Sequence, residues 1–261
     1  MSSTTRGPAL VSGATRGIGR ACATTLAELG YPVFICARDE SAVATTVKEL
    51  RERGSEADGI ACDVTSAAAV RRWVAAATAA YGPVEVLVNN AGRSGGGVTA
   101  ELSDELWHEV IATNLTSVFL VTREVLTTGR MRERGRGRIV NIASTGGKQG
   151  VALAAPYSAS KHGVVGFTKA LGLELARSGI TVNAVCPGYV ETPMARHVRQ
   201  GYAGLWDVDE SEVLARFQAK IPLGRYTEPD EVAGLVGYLT THHADPITAQ
   251  ALNVCGGLGN Y

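Results

Sequence analysis

The chain has 261 residues, of which 45% are hydrophobic and 19% charged, enough apolar material for one large core in a soluble globular protein. Lys+Arg and Asp+Glu are both 25, so the formal net charge is zero and no strong field argues for nucleic acid or for an acidic partner. Met1 to Ala9 lacks the apolar core of a signal peptide, and no apolar run is long enough to span a bilayer.

Short apolar runs alternate with longer helical patterns. Ala9-Leu-Val11 predicts the first strand, followed by a glycine turn and a helix ending near Gly30. Val33-Phe-Ile-Cys-Ala37 predicts the second strand, and a charged helix follows from about Glu40 to Gly54. Ile60-Ala-Cys62 predicts a third strand, with Ser66 as N-cap of the next helix. Val84-Glu-Val-Leu-Val88 predicts a fourth strand and Ser103 to about Thr128 a long helix. Arg138-Ile-Val-Asn-Ile142 predicts a fifth strand, with a helix from about Ala155 to Arg177 after it. Thr181-Val-Asn-Ala-Val185 and Ala251-Leu-Asn-Val254 predict the sixth and seventh.

Alternating strands and helices with continuous apolar strands imply an α/β fold. The expected form is a doubly wound Rossmann-type, seven-stranded parallel sheet in one domain. One segment breaks the rhythm: Glu191 to Pro222, with Tyr202, Leu205, Trp206 and Phe217 among charged residues. Two readings stand, an amphipathic helix pair packed on the core and a helical lid over a substrate site. Five scattered cysteines (Cys22, Cys36, Cys62, Cys186 and Cys255) show no CxxC and no Cys/His metal spacing. Reduced buried thiols, no metal site and a cytoplasmic location are therefore expected.

Ser12-Gly13-Ala-Thr15-Arg16-Gly17-Ile18-Gly19 lies between the first strand and the first helix. Its glycines permit a tight turn and close backbone approach, and the helix N-terminus attracts a pyrophosphate. At the end of the second strand stands Arg38, where folds that prefer NAD place an acidic residue. A guanidinium fork there suits a 2′-phosphate, and Arg16 in the glycine loop could add a second cation, so NADPH is the expected cofactor. Asp39 leaves an alternative open, a carboxylate bonding a ribose hydroxyl instead.

Tyr157-Ser-Ala-Ser-Lys161 places a phenol and an ammonium four residues apart, on one face of a predicted helix. The cation is expected to lower the tyrosine pKa toward that of a usable general acid. Ser144, just after the fifth strand, would donate a hydrogen bond to a carbonyl oxygen. Tyr157 would protonate that oxygen as hydride arrives, and Lys161 would hold the nicotinamide ribose. Asn114 could hold a water linking Lys161 to solvent, and Asn89-Asn90-Ala91-Gly92 follows the fourth strand at the same edge.

Ser12-Gly-x-x-x-Gly17-x-Gly19, Asp63, Asn89-Asn-Ala-Gly92, Asn114, Ser144, Tyr157-x-x-x-Lys161 and Pro187-Gly188 together resemble the short-chain dehydrogenase/reductases, from about Leu10 to the C-terminus. The resemblance implies that Asp63 bonds the adenine amino group, with Val64 beside it, and that Asn90, Ala91 and Gly92 lie along the cofactor. It also implies that Pro187, Gly188, Val190 and Thr192 follow the nicotinamide, Thr192 meeting its carboxamide, and that the protein is a tetramer.

Arg93-Ser94-Gly-Gly-Gly97, Asn141 to Gly150 and Asn253 to Tyr261 further resemble the actinorhodin-type ketoreductases of bacterial type II aromatic polyketide synthases. That resemblance implies reduction of one ketone, typically at C9, on a poly-β-ketone tethered to acyl carrier protein. Relatives usually carry proline where this chain has Ser94, which bears on substrate orientation. The resemblance places Arg93, Ser94, Gly95, Gly96, Thr145, Gln149, Val151, Leu153, Tyr202 and Trp206 at the substrate. Arg93 has two readings, a contact for the carrier protein or its phosphopantetheine phosphate, and a plain surface arginine. The alternative functions are a 3-oxoacyl-acyl-carrier-protein reductase of fatty acid synthesis and a catalytically silent NADP-binding sensor.

Overall fold

A computed structural model describes residues 6–259 and Tyr261. Among the described residues, β1 (Ala9–Ser12), β2 (Val33–Ala37), β3 (Ala57–Ala61), β4 (Val86–Asn89), β5 (Gly137–Ile142), β6 (Ile180–Pro187) and β7 (Ala251–Val254) form one parallel sheet. The order is β3-β2-β1-β4-β5-β6-β7. The chain runs outward in one direction from β1 and then returns to begin again at β4. The carboxyl ends of β1 and β4 thus flank the switch point where ligands of such sheets bind.

The strands are apolar on both sides because helices cover both faces. Successive residues alternate between two cores. Val11, Ile35, Val88 and Val140 pack with Leu26 of α1 (Gly17–Glu28), Leu50 of α2 (Glu40–Glu52) and Val236 and Leu239 further along the chain. Leu10, Phe34, Leu87 and Ile139 face the opposite way, onto Trp73 of α3 (Ala67–Tyr81) and onto residues 121–125 and 171–175.

Three departures from the sequence reading matter. The third strand starts at Ala57 rather than Ile60; Asp58 and Gly59 are poor strand formers that pairing with Phe34 and Ile35 carries into the edge strand. A Cβ on Gly59 would lie 2.7 Å from the Ile35 carbonyl oxygen. The long helix is interrupted: after α4 (Asp104–Ile111) comes one π-type turn, Ala112–Thr116, and then α5 (Ser117–Leu126). The helix Pro229–Thr240 fills a stretch where no element is anticipated, although its signals are legible. Pro229 stands at its start, Glu228 and Glu231 make a capping box, and Val232, Val236 and Leu239 are spaced as a helical face.

Helix α6 (Ala155–Leu175) carries Tyr157 and Lys161 in its first turns. The segment after β6 holds α7 (Pro193–Trp206) and α8 (Glu210–Gln218), with Pro229–Thr240 as α9. Helices α7 and α8 share an aromatic cluster of their own. Tyr189 stacks on Phe217 at 4.9 Å and on Tyr226 at 5.3 Å. Buried Arg199 ties this unit together, donating to both Glu191 oxygens at 3.0 Å and to Glu210 at 3.0 Å, with its guanidinium over the Tyr226 ring. These partners hold its pKa above the ordinary arginine value. Removing the cation leaves two carboxylates without it in a partly dry site. Arg199→Met is therefore expected to raise amide exchange in α7 and α8 by about 10-fold or more while α1 and α9 keep their protection; uniform loss across the sheet would refute a local role.

Candidate active site

The glycine turn is built against β4. The Ser12 hydroxyl accepts from the Asn90 and Ala91 N–H groups at 3.0 and 3.1 Å. The Asn90 side-chain amide donates to the Ser12 and Gly13 carbonyls, both at 3.0 Å. Asn90 is thus a strut for the turn as well as a neighbour of any ligand in it. Gly13 and Gly17 take left-handed φ of +65° and +52°. A Cβ on Gly19 would lie 2.3 Å from both the Gly13 carbonyl oxygen and the Asn90 amide nitrogen.

Arg16 occupies the N-cap of α1 in extended conformation with no side-chain cap, so the first N–H groups face the crevice unshielded by a side chain. Thr15 and Ile18 lie half-buried in the same turn. The Thr192 methyl approaches Gly17 from the far side, 3.2 Å from where a Cβ would stand, while the Thr192 hydroxyl caps α7 through Ala195 N–H at 3.1 Å. Pro187 ends β6, Gly188 N–H donates to Val254 at 3.0 Å, and buried Val190 bridges to Thr227. These residues follow the same edge of the sheet. The cradle fits a dinucleotide: glycines where side chains would collide, and an uncapped helix N-terminus toward a pyrophosphate.

At the other end of the crevice Asp39 is exposed. Its Oδ1 accepts from Ser41 N–H at 2.9 Å, Ser41 hydroxyl at 2.7 Å and Ala42 N–H at 3.1 Å, capping α2. These bonds, led by the Ser41 hydroxyl, hold its pKa below the usual carboxylate value. Arg38 is exposed at the strand end. Asp63, just past β3, uses Oδ1 on the Thr65 N–H and hydroxyl at 2.9 and 2.7 Å. Those bonds, and then the Arg38 charge, keep it ionised, while Val64 beside it is buried.

The catalytic candidates converge. Ser144 ends the loop after β5 and caps a 3-10 turn, Thr145–Gly147, its hydroxyl accepting from Gly146 N–H at 3.0 Å. Ser144 Oγ and Tyr157 Cε1 both border Gly146, each 3.4 Å from where a Cβ would stand. Lys161 Nζ donates to the Ile142 carbonyl at 2.8 Å and lies 5.8 Å from the Tyr157 ring centre. Asn114, in the π-type turn, is 1% exposed; its amide donates to the Arg93 carbonyl and Ser160 hydroxyl at 3.0 and 3.1 Å, and its oxygen accepts from Arg93 N–H at 2.8 Å. A Cβ on Gly92 would lie 3.3 Å from Asn114 Oδ1 and 3.7 Å from Lys161 Nζ, so these groups share one small space. The π-type turn gives Asn114 a position that regular helical spacing would not.

The electrostatics differ from the spacing argument. Burial raises the Tyr157 pKa above its ordinary value, and the Ser144 hydrogen bond draws it partly back. Burial also lowers Lys161 to about 8. The expected lowering of Tyr157 by Lys161 is thus not what this chain alone produces: burial is the largest influence on the phenol.

The substrate-side residues form two packed loops. Arg93 pairs with Glu109, a counter-charge that nothing in the sequence spacing signals. The Ser94 to Gly97 loop lies on the loop before α6: Gly97 N–H donates to the Leu153 carbonyl at 2.7 Å, and a Cβ on Gly96 would be 2.0 Å from that oxygen. Gly95 faces Val110 with room for no side chain, since a Cβ there would be 2.4 Å from Val110 Cγ2. Leu153 takes φ +60° to make this junction and leaves its side chain exposed, like that of Val151. Val151 Cγ2 and Tyr157 Cε1 both border Gly146. Thr145 is buried and accepts from exposed Gln149 N–H at 3.1 Å. Tyr202 reaches over from α7 to donate to the Ala152 carbonyl at 3.3 Å. Trp206, expected at the substrate, is half-buried on the α7–α8 cluster beside Tyr202, Phe217 and Arg216. Two supports could not be foreseen: Ser160 for Asn114, and the Ile142 carbonyl for Lys161, a backbone atom without a residue-type signal.

Among the described residues there is no cluster of three metal-ligating side chains and no helix long and apolar enough to cross a membrane. The short chain dehydrogenase family profile matches residues 8–203. The chain is 66% identical over 261 residues, covering 100% of both, to a ketoacyl reductase of the monensin polyketide synthase from Streptomyces virginiae. It is 39% identical over 250 residues, 96% of both, to a 3-oxoacyl-acyl-carrier-protein reductase from Vibrio cholerae. A tryptophan variant of the actinorhodin polyketide ketoreductase, crystallised with NADPH, superposes with a TM-score of 0.97 at 64% identity, covering 100% of both chains.

Proposed function

Since this chain belongs to the short-chain dehydrogenase family, we propose that it uses NADPH to reduce one ketone, at C9, of a poly-β-ketone tethered to acyl carrier protein in aromatic polyketide biosynthesis. The chain is an oxidoreductase of the ketoacyl reductase kind, and its relatives place it in polyketide biosynthesis. The observation that carries the chemistry is the meeting of Ser144, Tyr157, Lys161 and Asn114 beside the glycine cradle. The choice of ketone rests on 66% identity to polyketide synthase reductases against 39% to a fatty acid reductase.

When bound, NADPH supplies a hydride to the carbonyl carbon. The cradle of Gly13, Gly17 and Gly19 would hold its pyrophosphate, and Arg38, with Asp39 engaged in capping, its 2′-phosphate. Ser144 donates to the carbonyl oxygen and fixes it near the Tyr157 hydroxyl. Tyr157 delivers the proton, so the ketone becomes a secondary alcohol. Lys161 stabilises the phenolate left behind, and the Asn114 backbone contacts at Arg93 keep the surrounding turn in place while a proton returns. The loops at Ser94 to Gly97 and Gln149 to Leu153, with Tyr202 above Ala152, would form the substrate mouth under a lid of α7 and α8. Arg93, half-neutralised by Glu109, stands beside it as a contact for the carrier protein's phosphopantetheine. A cytoplasmic homotetramer completes the proposal, its mass measurable by light scattering.

Two measurements test it. Arg38→Ala is expected to lower kcat/KM with NADPH by about 10–100-fold and with NADH far less, the scale of one charge-assisted pair; equal use of both cofactors by the unaltered enzyme would overturn the cofactor assignment. Bicyclic ketones should be reduced better than acetoacetyl thioester, and the reverse preference would favour fatty acid synthesis. Reconstitution with a minimal polyketide synthase and analysis of the product decide the reduced carbon.

A further inference from the structure

Lys148 is buried at its stem and makes an unusual set of contacts. Its ammonium donates to the Ala251 carbonyl at 3.2 Å, to Asn253 Oδ1 at 3.0 Å and to the Tyr261 carbonyl at 2.6 Å, and it lies 5.2 Å from the Tyr261 ring centre. Three ammonium hydrogens meet three acceptors, so the group is saturated inside the protein and free for no ligand.

The place of this residue gives the contacts meaning. Lys148 follows the 3-10 turn that Ser144 caps, and its own N–H donates to Thr145 at 2.9 Å. The turn is pressed on the catalytic helix, since a Cβ on Gly147 would lie 2.6 Å from the Lys161 carbonyl. The Ser144 hydroxyl takes its direction from Gly146 N–H in that same turn. Anchoring the turn at Lys148 therefore anchors the hydroxyl.

The acceptors belong to a second support. Asn253 donates to the Gly259 carbonyl at 3.0 Å, and Gly259 N–H donates to Cys255 Sγ at 3.4 Å, folding residues 255–259 back on β7. Gly256 and Gly257, at φ +60° and +88°, make the bend. The Gly256 carbonyl accepts from Leu223 N–H at 3.0 Å, and Gly257 packs on Pro222. Part of this C-terminal stretch thus holds the Ser144 turn and part holds residues 222–223, in the loop after α8.

We propose that Lys148, through Asn253, residues 255–259 and Tyr261, is a positioning clamp for Ser144 that also links its turn to the loop after α8. It touches neither substrate nor cofactor. The proposal rests on the reading of Ser144 as the group that binds the ketone oxygen.

The test uses the full chain, NADPH and a bicyclic ketone. Lys148→Met keeps the stem and removes the donors. It is expected to lower kcat about 10-fold or more, with the NADPH Kd changed less than about 2-fold. Lys148→Arg should recover a substantial part of the loss. In a Ser144→Ala background the same Lys148→Met change should alter kcat less than about 2-fold, because a clamp has no effect once its hydroxyl is gone. A Lys148→Met enzyme within about 2-fold of the parent kcat, or a loss that multiplies in full with that of Ser144→Ala, overturns the proposal. If Lys148→Met does not fold, Asn253→Ala replaces it: a several-fold fall in kcat supports the clamp, and an unchanged kcat overturns it. A Ser144→Ala enzyme of undiminished activity would instead overturn the reading of Ser144 itself, and the clamp with it.

Discussion

Tyr157→Phe is expected to lower kcat for ketone reduction by about 10³-fold or more, with NADPH affinity nearly unchanged. The substitution removes one oxygen, the only group beside Ser144 placed to deliver the proton. The ring remains, so packing around Gly146 is kept. Because burial raises the Tyr157 pKa, the phenol is protonated at neutral pH, the state an acid needs. Reduction should therefore be flat through neutrality and decline as pH rises through about 8, where Lys161 loses its proton. Oxidation of the alcohol, which needs the phenolate, should show the opposite trend. If Tyr157→Phe reduced ketones at the parent rate, the proposed mechanism would be wrong.

Lys161→Met is expected to abolish activity, by about 10²-fold or more, and yet to raise stability near pH 7. The sign follows from linkage. The Lys161 pKa is about 8 in the fold, against an ordinary value of 10.5, so the fold disfavours its charged form. The penalty is complete below about 8 and is relieved as pH rises from there toward 10.5. That gap is worth on the order of 3 kcal/mol. Methionine removes the penalty but leaves the Ile142 carbonyl without its 2.8 Å donor, which costs about 1–2 kcal/mol. The remainder, about 1–2 kcal/mol, should raise the melting temperature by a few degrees at pH 7; at pH 10, where the penalty has fallen below about 1 kcal/mol, the gain should vanish or turn into a small loss. A melting temperature that falls equally at pH 7 and pH 10 would show that Lys161 is held without strain.

Much of this was legible in residue order. Apolar runs located the seven strands in sequence, with ends off by no more than two residues except at β3, off by three, where Asp58 and Gly59 join the edge strand through pairing with β2. The Gly13 to Gly19 turn and the Tyr157 to Lys161 spacing are local patterns, and their local geometry follows from chain stereochemistry. Helix α9 was equally local and was passed over, its capping box notwithstanding.

Other features exist only between distant segments. Asp39 reads from residue order as a candidate ribose ligand, and the fold shows that its Oδ1 also caps α2. Trp206 packs with Tyr202 of its own helix and with Phe217 of the next. Asn114 owes its place to a π-type turn and to backbone atoms of residue 93. Residue types in sequence determined the class of chemistry: a hydroxyl, a phenol and an ammonium at spacings that one α/β edge can gather. Tertiary structure decided how that chemistry is tuned. Desolvation depends on what surrounds a group, which is why the tyrosine pKa moved up when adjacency to lysine alone argued for down.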